Sequence, residues 1–169
     1  MLSSEIEKYL KSLNQILERK NIKGEIGIVE GAAMCLAFHV RASTKDVDPI
    51  FEPSSAIRAA ATDVAHEFDL SPDWLNDAVK GFMKPIAKKK ILFEFPNLSV
   101  WTPEADYLLA MKSISARWDT SDQDDIIFLI KFLELKSASE VFSIIETYYP
   151  KSQIPPKTQF FIEEIFETP

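Results

Sequence analysis

Two aspartates separated by one residue, Asp46-Val47-Asp48, form the pair in this sequence best suited to chemistry. On an extended strand, side chains at i and i+2 leave the same face with Cα atoms about 7 Å apart, so both carboxylates can grip one or two divalent cations. Oxygen ligands select Mg. Two acids on a solvated strand face are also a common outcome, so the surroundings decide what the pair means. Just upstream, Gly31 follows an apolar run and precedes good helix formers. A glycine at a strand-to-helix turn lets backbone N–H groups approach a triphosphate. Thr44 and Lys45 add a hydroxyl and a cation that can reach phosphate oxygens; their other reading is an exposed polar loop.

The elements that must position these residues follow from periodicity. Ser4 to Glu7 reads as a capping box, and Ile6, Leu10, Leu13 and Leu17 repeat at helical spacing, which predicts an amphipathic helix ending near Lys20. Ile26 to Val29 reads as a short buried strand, Ala32 to Phe38 as a helix, and Asp46 to Phe51 as a second strand. In that strand Asp46 and Asp48 share a face, and Pro49 suits an edge or a strand end. A helix begins at Pro53-Ser54-Ser55 with Ile57, Ala61, Val64 and Phe68 inward, and Ser71-Pro72 starts a short helix that stops at Gly81. Lys90 to Phe95 and Leu98 to Trp101 read as strands around Pro96-Asn97, with Glu94 the one acid of the first. From Thr102-Pro103 onward the pattern is helical: Glu104 to Arg117, a helix from Ile126, one capped by Ser137 to Glu140, and a terminal one from Gln159 to Glu167. Residues 1–102 are expected to form the α/β core, and 103–169 a helical part packed on it.

Composition narrows the partners. The chain has 169 residues, 46% of them hydrophobic and 27% charged, with only four glycines, which favours many helices over many hairpins. A net charge of −7 opposes non-specific attraction to nucleic acid or an anionic membrane. It also disfavours a small DNA-binding regulator, for which there is no basic recognition helix. The basic run Lys84, Lys88, Lys89 and Lys90 could touch RNA phosphates, although a solvated linker is the commoner use. Cys35 lies in an apolar run and reads as core, and His39 and His66 have no second ligand near them in sequence. The N-terminal stretch carries Glu5 and Glu7 and reads as neither a signal peptide nor a membrane span, so a cytoplasmic location is expected.

Taken together, Val29-Glu30-Gly31 and Asp46-Val47-Asp48 resemble the nucleotidyltransferase superfamily of polymerase-beta-like fold. Its pattern is an apolar strand, a Gly-Gly or Gly-Ser turn, and a D-x-D on the next strand. Arg41 to Asp48 and Leu108-Leu109-Ala110-Met111-Lys112 are similar to bacterial AbiEii- and MenT-type toxins, as are Trp74-Leu75-Asn76-Asp77 and Lys80-Gly81-Phe82. The resemblance spans about residues 25 to 135. It implies an α+β fold, a small mixed sheet flanked by helices with a helical C-terminal part, and Mg as cofactor. Catalytic and metal-holding roles would fall to Asp46 and Asp48, and Glu94 is the candidate for the third carboxylate of many relatives. Gly31, Thr44, Lys45, Lys112 and, from Asp122-Gln123-Asp124-Asp125, Asp125 would belong to the nucleotide site. The implied activity moves a nucleoside monophosphate from NTP to a hydroxyl of RNA or protein, as the toxin of a toxin–antitoxin pair with a cognate antitoxin as partner. One departure stands out: Glu30 occupies the first turn-glycine position and brings negative charge where a triphosphate would approach. That departure supports the alternative, an interaction protein that keeps the fold without catalysis.

Overall fold

A computed structural model describes residues 1–45, 47–77, 84–118 and 120–167, and the chain falls into two compact units. The first comprises Met1–Gly81 with Lys88–Pro103, and the second Phe82–Ala87 with Glu104–Pro169. The class is α+β: a four-stranded mixed open sheet and seven α-helices among the described residues. No helix among them is long and apolar enough to cross a membrane.

In the first unit the order is α1 (Ser3–Arg19), β1 (Gly24–Val29), α2 (Glu30–Leu36), β2 (Asp48–Glu52), α3 (Ser54–Phe68), β3 (Lys89–Glu94) and β4 (Leu98–Pro103). The strands lie in the order β2-β1-β4-β3, with β1 antiparallel to β2, parallel to β4, and β3 antiparallel to β4. The helical stripe Ile6, Leu10, Leu13 and Leu17 is fully buried, each such side chain contributing about 1.5–3 kcal/mol of burial free energy. α1 and α3 pack together, with Tyr9 against the rings of Phe68 and Trp74. They cover one sheet face. Gly24 shares the face of Ile26 and Ile28 by alternation, and a Cβ on it would meet Leu17 of α1 and Ile57 of α3. Asp48, Ile50 and Glu52 pair with Val29, Gly27 and Glu25, so they belong to the other face. On that face the Trp101 ring lies against Gly27, where a Cβ would come within 2.4 Å of it.

Several expectations require correction. α1 starts at Ser3, its entry closed by the Leu2 N–H donating to Glu5 at 2.7 Å, two residues earlier than a Ser4 cap implies. The left-handed residue where β1 passes into α2 is Glu30, the first residue of the helix, with φ 57°, and Gly31 follows it in the first turn of α2. No helix follows Ser71-Pro72 through residue 77. The Trp74 N–H returns to the Ser71 carbonyl, but the burial of Trp74 and Leu75 and a parallel bridge from Leu75 to Val47 pull the chain away from a second helical turn. The expected stop at Gly81 lies outside the described residues. Thr102 and Pro103 end β4 rather than capping a helix. Pro49 lies on β2, an edge strand, where a missing backbone donor is tolerated.

The second unit contains α4 (Ala105–Ser115), α5 (Asp122–Phe132), α6 (Ala138–Tyr148) and α7 (Pro156–Glu167). α4 packs against both α5 and α6. The Ser137 side chain caps α6 by accepting from the Glu140 N–H. The Tyr148 hydroxyl donates to Asp106 at 2.7 Å, tying α6 to α4. Burial and the Asp106 carboxylate push the Tyr148 phenol up to about 12.

Candidate functional site

The end of β1 gathers several of the residues singled out above. Asp48 opens β2 directly opposite Val29, the last residue of β1, and Gly31 follows two residues later. A Cβ on Gly31 would sit 3.0 Å from the Arg41 guanidinium and 3.1 Å from the Thr44 hydroxyl. A cation and a hydroxyl therefore lie against the Gly31 backbone, a combination able to contact phosphate oxygens. Thr44 is held there because its N–H donates to the Met1 carbonyl at 2.9 Å and its neighbour Ser43 bridges to Leu2. Lys45 is exposed and lines an open cleft of about 510 Å³ with Ser71, Asp73 and Asn76.

Asp48 is half-buried, and the Asn76 amide donates to it at 3.4 Å. That approach has a backbone cause. The Val47 N–H donates to the Trp74 carbonyl at 3.0 Å, and the Asn76 N–H returns to the Val47 carbonyl at 3.2 Å. Trp74 is itself fixed, its indole N–H donating to the Ala61 carbonyl of α3 at 2.9 Å, and Asp77 pairs with Arg58 of the same helix at 2.9 Å. Asn76 is thus anchored on both sides. Asp46 lies outside the described residues. Among those described, no group of three or more His, Cys, Asp or Glu side chains is close enough to hold a metal ion. The carboxylate oxygens that Asp48 carries are of the kind a hard cation such as Mg takes.

Glu94 is not part of this gathering. Its register runs through Ser99 of β4 and Glu25 of β1 to Glu52 of β2, four residues from Asp48. Three strand spacings across and four residues along amount to roughly 14 Å and 13 Å. Glu94 therefore occupies the opposite corner of the sheet, on the exposed edge, where it accepts from the Ser99 hydroxyl at 3.0 Å. The sequence shows only that Glu94 sits in a strand; strand order, which separates it from β2 by two strands, is a tertiary property.

Lys112 and Asp125 meet in the second unit. The Lys112 ammonium lies 2.8 Å from Asp125 and 3.3 Å from Asp122, and the Lys112 and Asp125 side chains are 1% exposed. Lys112 is therefore no ordinary surface lysine. Three charges so deeply placed are stable only as a mutually paired set. Burial alone would raise Asp122, but the Arg117 backbone N–H, the charge and hydrogen bond of Lys112 and the Thr120 hydroxyl outweigh it and hold the carboxyl below its usual value. Sequence reasoning singled out Asp125 but passed over Asp122, the first acid of the same string, and over Arg41 and Asn76. Asn76 carried no local signal, since its partner is 28 residues away.

Comparisons of the chain with protein-family models, with curated proteins and with solved structures found no match.

Proposed function

We propose that this chain is a Mg-dependent nucleotidyltransferase that moves a nucleoside monophosphate from NTP to a hydroxyl of RNA or protein. The observation that carries the reading is the convergence at the end of β1. Gly31, with the Arg41 guanidinium and Thr44 hydroxyl against it, lies two residues beyond Val29, and Asp48 stands opposite Val29 on β2. In this reading Arg41, Thr44 and the Gly31 backbone hold the triphosphate, while Lys45, beside Asp46, offers a further cation. Asp46 and Asp48 would hold the cation, which when bound offsets the charge of the in-line displacement. The β1–α2–β2 arrangement, with an antiparallel second strand beginning at the acid, supports it as well. If the toxin resemblance carries over, a cognate antitoxin would be the partner.

Glu30 favours a second reading, an interaction protein of the same fold without catalysis. Its left-handed backbone occupies the turn where a glycine would be unstrained, and it carries negative charge beside Gly31. The two readings separate in a transfer assay. Purified protein is incubated with each NTP labelled at the α-phosphate, with Mg, and with total RNA or protein. A nucleotidyltransferase moves label into macromolecule and releases pyrophosphate, and an Asp48→Asn variant loses both; label that stays in NTP for every base and acceptor supports the interaction protein.

A further inference from the structure

We propose that the sheet face around Trp101 binds a small organic ammonium carrying an oxygen acceptor beside its charge, and that the Lys89 ammonium stands where the ligand's would. The site lies within the first unit, four residues along β2 from Asp48, and does not depend on the nucleotidyltransferase reading. The missing side chain at Gly27 lets the Trp101 ring of β4 settle against β1. Beside it runs a cleft of about 340 Å³, with Ile50 and Glu52 of β2 on one side, Trp101 and Lys89 of β3 on the other, and Glu25 of β1 between them. Small-molecule sites span roughly 300–1,000 Å³.

The side chains around the cleft define the ligand. The Lys89 ammonium lies 4.2 Å from the centre of the Trp101 ring and 2.9 Å from Glu25, so a cation is already stacked on an aromatic face and paired with a carboxylate there. Both members of that pair are open to water, and such an ion pair exchanges readily. Glu52 is the direct cross-strand neighbour of Glu25 and pairs with no cation among the described residues. Two carboxylates therefore face one ammonium, and like charges placed opposite each other on adjacent strands repel until a further cation arrives. The Trp101 side chain is only 3% exposed, yet no acceptor among the described residues meets its N–H in hydrogen-bonding geometry. The Lys89 hydrogen bond and charge hold the Glu25 carboxyl below its usual value, with a smaller pull from the Trp101 N–H, which is thus directed towards the carboxylate end of the cleft. A buried donor without an acceptor is costly, and a lysine, which carries donors only, cannot satisfy it. In the proposed complex the ligand ammonium takes the Lys89 position against the ring and both carboxylates, its oxygen accepts from the indole N–H, and its carbon frame rests on Ile50.

The Trp101 indole N–H of the full chain is followed by two-dimensional proton–nitrogen NMR, its signal identified by loss in Trp101→Phe. Phenylalaninamide carries the ammonium, the adjacent oxygen and an apolar ring; phenethylamine lacks the oxygen, and hydrocinnamamide lacks the ammonium. The expected result is a saturable shift of the Trp101 signal with phenylalaninamide, weaker binding of phenethylamine and none of hydrocinnamamide. Glu52→Gln should weaken phenylalaninamide roughly two- to fivefold. Lys89→Met withdraws the competing ammonium but keeps the apolar stem, and should tighten it by a similar factor. A Trp101 signal that phenylalaninamide leaves unmoved in wild type and in Lys89→Met alike would overturn the proposal. So would hydrocinnamamide binding as tightly, the mark of an apolar cleft only, or weaker binding in Lys89→Met, the mark of a site for anions.

Discussion

Among single residues, Asp122 makes the most direct statement about pH. It accepts from the Arg117 backbone N–H at 3.0 Å and lies 3.3 Å from Lys112, and these contacts hold its folded pKa below the ordinary 3.8 despite burial. A carboxylate depressed in this way adds stability that is complete above its unfolded value and is lost as pH falls through the folded one. Unfolding free energy should therefore drop as the medium is taken from pH 5 to below pH 4, an interval estimated from the usual range of unfolded carboxylates. Asp122→Asn should flatten that drop and lower stability at neutral pH, because Lys112 loses a buried charged partner. Urea unfolding at a series of pH values reads both effects; an Asp122→Asn curve parallel to wild type would show that Asp122 does not couple to folding.

At the level of elements, the passage from β1 into α2 carries a conflict within the local sequence. Glu30 adopts φ 57°, a left-handed conformation that costs a non-glycine residue about 1–2 kcal/mol. Glu30→Gly relieves that strain, offset in part by the added freedom of glycine in the unfolded chain. The expected outcome is a gain of up to about 1 kcal/mol in unfolding free energy, together with tighter binding of NTP as the carboxylate leaves the neighbourhood of Gly31. Calorimetric titration with NTP and Mg checks the second part, and weaker binding in Glu30→Gly would mean that the carboxylate assists the nucleotide.

The same level shows what local sequence can carry. α1, β1, α3 and β4 announce themselves because their periodicity and their burial agree, as Ile6, Leu10, Leu13 and Leu17 do in α1. The stretch after Ser71-Pro72 looks helical on local signals, yet Trp74 is committed to the Ala61 carbonyl and Leu75 to Val47, long-range contacts that no local pattern encodes. For the same reason the closeness of Gly31 and Asp48 was readable from a short strand, turn and strand, whereas the place of Glu94 and the arrival of Asn76 depended on strand order and on the folding back of residues 74–76.

On the scale of the whole molecule, a chain of net charge −7 would have to draw the proposed anionic nucleotide by local arrangement, because its overall field repels one. Arg41, Thr44 and Lys45 would supply that arrangement on a short loop, with the aspartates directly after it in sequence. Binding would then need the cation as a bridge, since triphosphate and carboxylates repel each other without it. The most direct measurement is the melting temperature of the purified chain with each NTP, with and without Mg, for wild type and for the double variant Asp46→Ala, Asp48→Ala. At a ligand concentration a hundredfold above Kd, binding adds about 2.7 kcal/mol, or roughly 5–10 °C for a protein of this size. A nucleotidyltransferase should show a rise of that order with at least one NTP, present only with Mg and absent from the double variant; no rise with any NTP, or an equal rise in the double variant, would contradict that function.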